Sequence, residues 1–311
     1  THVTRCCFIA RATFTVTASD VPITGTLVSA TLYWGGTQTQ GVTACVDSAP
    51  DTDITVTFPD LSVNAVTSGV CYCADGGAAS YDMWSCNADL TADINAGGGL
   101  MIGDWLVGDY SGRISNGSTD NASAALLLVY SDPSLGARRV VVYDGIQTLS
   151  SSFQTITLGG FNVDAVAAGT LTYYTMEGDV GAAVTEFVDV VGLPGGAAMR
   201  LTDADNPSDD PMNRTINTST PPQTGTTGVD IDQYDIAAAL TPFDSTLEVT
   251  YSAANDKWWL AVNVVGTDSF PFVTASKSSA LQVDLNGNGV VEVGDTVRYT
   301  VRVTNGGSLA G

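Results

Sequence analysis

Twelve residues near the end of the chain carry the oxygen ligands of a hard-cation loop. In 284–295, Asp284, Asn286, Asn288, Glu292 and Asp295 fall at positions 1, 3, 5, 9 and 12, with Gly289 at position 6 and Val290 at position 7. A calcium loop asks for this pattern: oxygen side chains at alternate positions, a backbone carbonyl at the seventh, and glycine where the chain turns sharply. The chemistry implied is calcium coordination by those five side chains and the Val290 carbonyl. The two asparagines lower the ligand charge, which suits a calcium-rich extracellular fluid. Position 12 holds Asp rather than the longer Glu, and no helical pattern flanks the loop. The competing use of these residues is a polar turn between strands, since Asn-Gly is a common hairpin signal.

A second, weaker cation candidate is Asp203, Asp205, Asp209 and Asp210. Four carboxylates this close repel one another unless solvated or bound to a cation. Asp230, Asp232 and Asp235, and Glu177 with Asp179, read as exposed turns before they read as ligands. Catalysis finds little support. His2 is the one histidine, so a Ser-His-Asp or Cys-His mechanism lacks a placed base. Gly-x-Ser-x-Gly, phosphate-loop and zinc-protease motifs are missing. A carboxylate-pair glycosidase would draw on Glu177, Asp179, Glu186 and Asp232, but nothing selects a pair. The expectation is a chain without catalytic activity.

The elements that must position the loop are strands. After it, 296–305 alternates, with Val297, Tyr299, Val301 and Val303 on one face and Arg298, Thr300, Arg302 and Thr304 on the other. Near the start, Phe8, Ala10, Ala12, Phe14 and Val16 share a face in the same way. Between them, β-branched runs broken by Gly, Asn and Asp indicate an all-β protein. Residues 124–130 are wholly apolar, and with 139–145 they predict a hairpin; 245–252 and 258–265 predict another. Residues 37–88 are irregular apart from a short strand at 54–58, and 88–94 suggest a helical turn. Residues 202–228 form a long polar stretch.

With 311 residues and a hydrophobic content of 44%, a sizeable core can be buried. The net charge of −22 excludes nucleic acid and anionic membrane surfaces as partners and favours cations. No apolar stretch is long enough to insert in a membrane as a helix. Cys6, Cys7, Cys45, Cys71, Cys73 and Cys86 read as disulfides and an oxidising compartment. Their pairing is open, except that Cys6 and Cys7 face opposite sides of a strand and so need different partners. No Cys-x-x-Cys occurs, which argues against zinc. Tyr33, Trp34, Trp84, Trp105, Tyr110, Trp258 and Trp259 are core residues or a sugar platform. Adjacent on one strand, Trp258 and Trp259 point to opposite faces, which leaves one of them for the surface or an interface. Asn116, Asn121, Asn213 and Asn217 each begin a glycosylation sequon.

One order of motifs is specific: Leu32-Tyr33-Trp34-Gly35-Gly36, Ala88-Asp89-Leu90-Thr91, Val129-Tyr130-Ser131-Asp132-Pro133, Val142-Tyr143-Asp144-Gly145, Glu177-Gly178-Asp179, Asn213-Arg214-Thr215-Ile216 and Asp230-Ile231-Asp232-Gln233-Tyr234-Asp235. It resembles a family of large bacterial secreted and cell-surface β-domains that precede Ig-like conserved repeats of unknown function. Residues 279–307 resemble the opening of such a repeat, cut short. The resemblance implies an extracellular, cell-surface protein of structural or adhesive duty.

The reading is therefore a jelly-roll-like β-sandwich protein in three regions. A Cys-containing sandwich spans 1–150, and a second spans 151–275 and can share its sheets. A partial Ig-like module with the calcium loop spans 276–311. The function expected is the subunit of a bacterial surface filament. It would polymerise head to tail by strand complementation, with strand 5–18 of one copy added to the open edge of 296–304 of the next. Calcium and disulfides would stiffen the assembly. The alternative is a monomeric adhesin or carbohydrate-binding domain that recognises surface glycans.

Overall fold

The computed structural model describes residues 5–10, 13–39, 45, 50–75, 81–109, 121–150, 153–179, 186–226, 228–254, 256–268 and 273–305. The chain divides into two compact units, Thr1–Asp268 and Ser269–Gly311.

Among the described residues, nine strands open the first unit: β1 (Arg5–Ala10), β2 (Thr13–Val16), β3 (Thr26–Thr39), β4 (Asp53–Thr57), β5 (Val63–Thr67), β6 (Val70–Asp75), β7 (Tyr81–Asp89), β8 (Gly103–Gly108) and β9 (Ala122–Ser131). One helical turn and a half, α1 (Thr91–Ala96), lies between β7 and β8. The strands form two sheets, ordered β1-β9-β3-β7-β6 and β2-β8-β4-β5. Ten more follow: β10 (Arg138–Ser150), β11 (Phe153–Gly159), β12 (Gly169–Met176), β13 (Phe187–Leu193), β14 (Met199–Arg200), β15 (Thr215–Ile216), β16 (Gln223–Thr224), β17 (Val229–Asp235), β18 (Thr246–Ser252) and β19 (Lys257–Asp268). Their sheets run β10-β19-β12-β17-β15-β16 and β11-β18-β13-β14.

The two sets repeat one plan. In each, the strands divide between two facing sheets and the last strand inserts between the first and the third, which is the jelly-roll order. The first sandwich is filled by Leu32, Trp34, Trp84, Leu126 and Leu128 from one sheet against Phe14, Ile54, Val56, Trp105 and Val107 from the other. The second is filled by Leu171, Tyr173, Trp258 and Leu260 against Leu158, Val188, Val190, Val249 and Tyr251. A third core lies between the sandwiches, where Tyr33, Tyr81, Met83, Ala125 and Leu127 meet Tyr174, Met176, Ile231, Trp259 and Val262. The unit is thus four sheets deep. Its two middle sheets are buried on both faces, which is why β9 and β19 read as unbroken apolar runs rather than as alternation.

Several expectations change. The regions 1–150 and 151–275 are parts of one unit, because the third core joins them. β10 belongs to the second sandwich, where it pairs with β19 from Arg138↔Asp268 to Ser150↔Lys257, so the divide falls at 132–137. β9 and β10 are not a hairpin, and neither are β18 and β19. Each connection crosses from one sheet to another, and Tyr251 on β18 meets Trp258 on β19 edge-on at 5.7 Å. Residues 37–88 hold four strands, not an irregular stretch, and 202–228 contributes β15 and β16 to a sheet.

The N-terminal segment is not a free strand. β1 pairs with β9 over Arg5↔Tyr130 to Ala10↔Ala125, and β2 pairs with β8. Phe14 and Val16 are buried in the first core. The side chains of Cys6, Cys7, Phe8 and Ala10, and the whole of Ala12, lie outside the described residues. Among the described residues two disulfides form: Cys71–Cys86 joins directly opposed residues of β6 and β7, and Cys45–Cys73 ties the neighbouring loop to β6.

The second unit is one antiparallel hairpin, β20 (Val273–Val283) and β21 (Thr296–Asn305), with the 284–295 loop between its strands.

Candidate functional site

The hairpin and its loop hold most of the residues singled out by sequence. Register places Leu281 opposite Val297, Ser279 opposite Tyr299, Lys277 opposite Val301 and Ala275 opposite Val303. Alternation then puts the four apolar residues of β21 on one face. Tyr299, Val301 and Val303 are 61%, 61% and 64% exposed, so this face is uncovered. The Lys277 ammonium sits 4.1 Å from the centre of the Tyr299 ring, an attraction of about 0.5–1 kcal/mol at an exposed site. In a sheet of two strands, each strand also keeps one edge unpaired.

The loop is shaped by its own ligand-type side chains. Asp284 accepts the Gly287 N–H on one oxygen and the Gly289 N–H on the other, both at 2.7 Å. These bonds hold its carboxyl below the usual carboxylate range. Asn286 accepts the Asn288 N–H at 3.1 Å, and Asn288 accepts the Val290 N–H at 2.7 Å. Asp295 closes the loop by accepting from Leu285 at 2.9 Å and from Glu292 at 3.0 Å. The Asn286 amide donates to Glu292. Gly287, Gly289 and Gly294 take positive φ values of 75°, 77° and 110°, which side chains resist. Asp284, Asn286, Asn288 and Asp295 therefore bend back over the turn, as coordination of a hard cation requires, and each accepting oxygen keeps a second lone pair. The loop also carries Leu285, Val290, Val291 and Val293 at its exposed surface.

The second acidic group comes apart. Asp203 staples its own loop, accepting N–H groups of Asp205 and Asn206 at 2.8 Å and the Asn217 amide at 2.6 Å. Asp209 is exposed and Asp205 half-buried, while Asp210 turns toward buried carboxylates. Among the described residues, the three His, Cys, Asp or Glu ligand atoms within 4.8 Å of one another are those of Cys45, Cys73 and Asp82, and both cysteines are spent in a disulfide.

The residues weighed as a glycosidase pair do share one end of the second sandwich. Glu177 and Asp179 follow β12, Glu186 precedes β13, and Asp232 lies in β17. Glu186 and Asp232 are only 1% and 0% exposed, too enclosed to touch a polysaccharide. Burial raises Glu177 and Glu186 to about 8, with the Asp256 carboxylate adding to each. Asp230, Asp232 and Asp256 are raised as well, first by burial. Sequence reading took Glu177, Asp230 and Asp232 for exposed turns; for the last two, a run in which Asp alternates with Ile between β-formers was the available signal of a buried strand.

The aromatics are not a sugar platform. Tyr33, Trp34, Trp84, Trp105, Trp258 and Trp259 are all core residues, and Tyr110 lies outside the described residues. Trp258 and Trp259 do face opposite sides, but neither reaches the surface, because each side is a core. Three sequon amides are already donors: Asn121 to the Gly228 carbonyl, Asn213 to the Asp205 carbonyl and Asn217 to Asp203. Asn116 lies outside the described residues. A cleft of about 290 Å³ opens where β10 bulges between Asp144 and Gln147, lined by Tyr143, Asp144, Gln147, Ile156 and Asn263.

No known family of sequences matches the chain, and no curated protein does. Solved structures do match it, two of them viral. A chain of Sulfolobus Turreted Icosahedral Virus is 9% identical, with 86% of this chain and 91% of that one covered at a TM-score of 0.24. The major capsid protein P2 of bacteriophage PM2 is 12% identical, with 84% and 91% covered at a TM-score of 0.26. Scores this low carry no functional inference.

Proposed function

We propose that this chain is an extracellular structural subunit, a rigid double sandwich that joins neighbouring copies into a surface filament through its β20–β21 hairpin. The observation that carries the reading is the apolar face of half-buried Val297 and exposed Tyr299, Val301 and Val303 beside an unpaired strand edge. A two-stranded hairpin is marginal alone and gains stability when further strands or a second layer cover it. The partner assigned is β1 of a neighbour, which stands at the margin of its own sheet. It would pair edge to edge while staying in place, rather than being donated. An edge-to-edge contact between different surfaces builds filaments wherever its rotation does not close a ring. Calcium at Asp284, Asn286, Asn288, Val290, Glu292 and Asp295 would fix the turn of the hairpin, and the two disulfides suit an oxidising compartment.

Negative-stain microscopy of the full chain, with calcium and after EDTA, tests this. Filaments are expected with calcium. V301K, which places a charge on the apolar face, should leave single particles with an unchanged melting temperature of the first unit. Filaments formed equally by V301K, or single particles throughout, would overturn the reading.

The cleft at the β10 bulge favours the second reading, a glycan-binding surface protein, because an aromatic ring, a carboxylate and two amides converge there. Calorimetric titration with simple sugars decides it: heat lost in N263A supports this reading, and no heat from any sugar discards it.

A further inference from the structure

The geometry points to a divalent-cation site of the calcium class inside the first unit, built from Asp230 and Glu186 with Asp256 and the Met212 carbonyl beside them. These groups come from separate parts of the chain. Asp230 lies in β17 opposite Thr175 of β12, Glu186 immediately precedes β13, and Asp256 immediately precedes β19. Met212 lies in the polar stretch that leads into β15.

Two facts separate this group from a solvated acidic patch. Asp230 is 0% and Glu186 1% exposed, yet Oδ2 of Asp230 and Oε1 of Glu186 accept no hydrogen bond; the same holds for Oδ2 of half-buried Asp256. A buried carboxylate oxygen without a donor is costly unless protonated or bound to a cation. The backbone also makes room for oxygen here. A Cβ on Gly178 would collide with Asp230 Oδ2 and with the Met212 carbonyl oxygen, so these two atoms lie side by side against a bare Cα.

The positive groups nearby are few. Arg214 is held by Asp179 and by the Gly178 carbonyl at 3.0 Å, and Lys257 stands near Glu177. Two cations face Glu177, Asp179, Glu186, Asp210, Asp230 and Asp256. Glu177 and Arg214 themselves take positive φ values of 76° and 65°, backbone strain gathered at this spot. The donors are all oxygens, without His or Cys, which selects a hard ion. No three of these carboxylates bring oxygens within 4.8 Å of one another. At most two carboxylates therefore reach one ion directly, and the Met212 carbonyl and water would complete the six to eight oxygens that calcium takes.

Terbium, a luminescent calcium substitute, tests the site in the wild-type chain. All five tryptophans lie in the first unit, and Trp258 and Trp259 follow Asp256 by two and three residues. Tryptophan-sensitised terbium emission, displaced by calcium, is therefore expected from this site. It should persist in D284N, which disables the loop. E186Q and D230N should each weaken calcium affinity by at least about tenfold, the cost typical of a damaged metal site. Absence of sensitised emission in the wild-type chain, or emission lost in D284N and kept in E186Q, would overturn the assignment. Failure of D230N to fold leaves the decision to E186Q and the wild-type titration.

Discussion

Trp258 and Trp259 are neighbours on β19, and each fills a different core. Both are wholly buried, the first inside the second sandwich and the second between the sandwiches. Their opposite facing was legible from strand geometry alone. That both faces were covered was not, because coverage depends on layers brought in from distant sequence. W259A should cost about 3–5 kcal/mol, the usual loss for a large core aromatic; denaturant titration would measure it. The buried carboxylates make a second prediction at this scale. Their folded pKa values are raised, so both folded and unfolded forms are protonated at low pH and the fold keeps its stability there. As pH rises above about 4, the unfolded chain ionises first, and stability falls until Glu177 and Glu186 also ionise near 8. In EDTA, the melting temperature should decline from about pH 5 to about pH 8, less steeply in E186Q. Equal slopes would rule out Glu186 as a contributor.

At the scale of elements, the strands themselves were readable and their partners were not. Alternation at 296–305, the apolar run at 124–130 and the strand at 54–58 all became strands. The expected hairpins failed because turn residues such as Asp132 and Pro133 stop a strand without deciding which sheet receives the next one. In a sandwich the chain often crosses over, as β9 to β10 and β18 to β19 both do. The segment 5–18 looked like one donor strand, since both β1 and β2 alternate; they enter different sheets. Cysteine pairing was likewise out of reach, for Cys71 and Cys73 share a face and yet find separate partners. Removing Cys71–Cys86, whose partners are 15 residues apart, should cost about 3 kcal/mol, the closure entropy of a loop of that size; the double alanine variant, compared by denaturant titration, would show it. The hairpin offers a contrast in protection. Amides of β20 and β21 should exchange with solvent orders of magnitude faster than those of β9 and β19, which lie mid-sheet between two cores. Equal protection in dispersed subunits would mean that something covers the hairpin without assembly.

For the molecule as a whole, the third core makes the two sandwiches one folding unit. Tyr81 meets Trp259 at 5.8 Å across it, and Ser123 hydrogen-bonds Tyr174 at 2.6 Å. Neither half can be exposed alone without baring Met83 and Leu127, or Met176 and Val262. Calorimetry of the first unit should therefore show a single transition, and two resolved transitions would mean that the third core contributes little.

The strand order says something about history. In each sandwich the sheet that carries the first and last strands, β1 with β9 and β10 with β19, is the one turned toward its sister. Two copies of one ancestral sandwich, associating through the same surface, would meet in this way. Only the six residues 132–137 separate the halves. Tandem duplication of a gene whose product already paired with itself yields this arrangement in one step, with the old contact between molecules preserved as the innermost layer of a single chain.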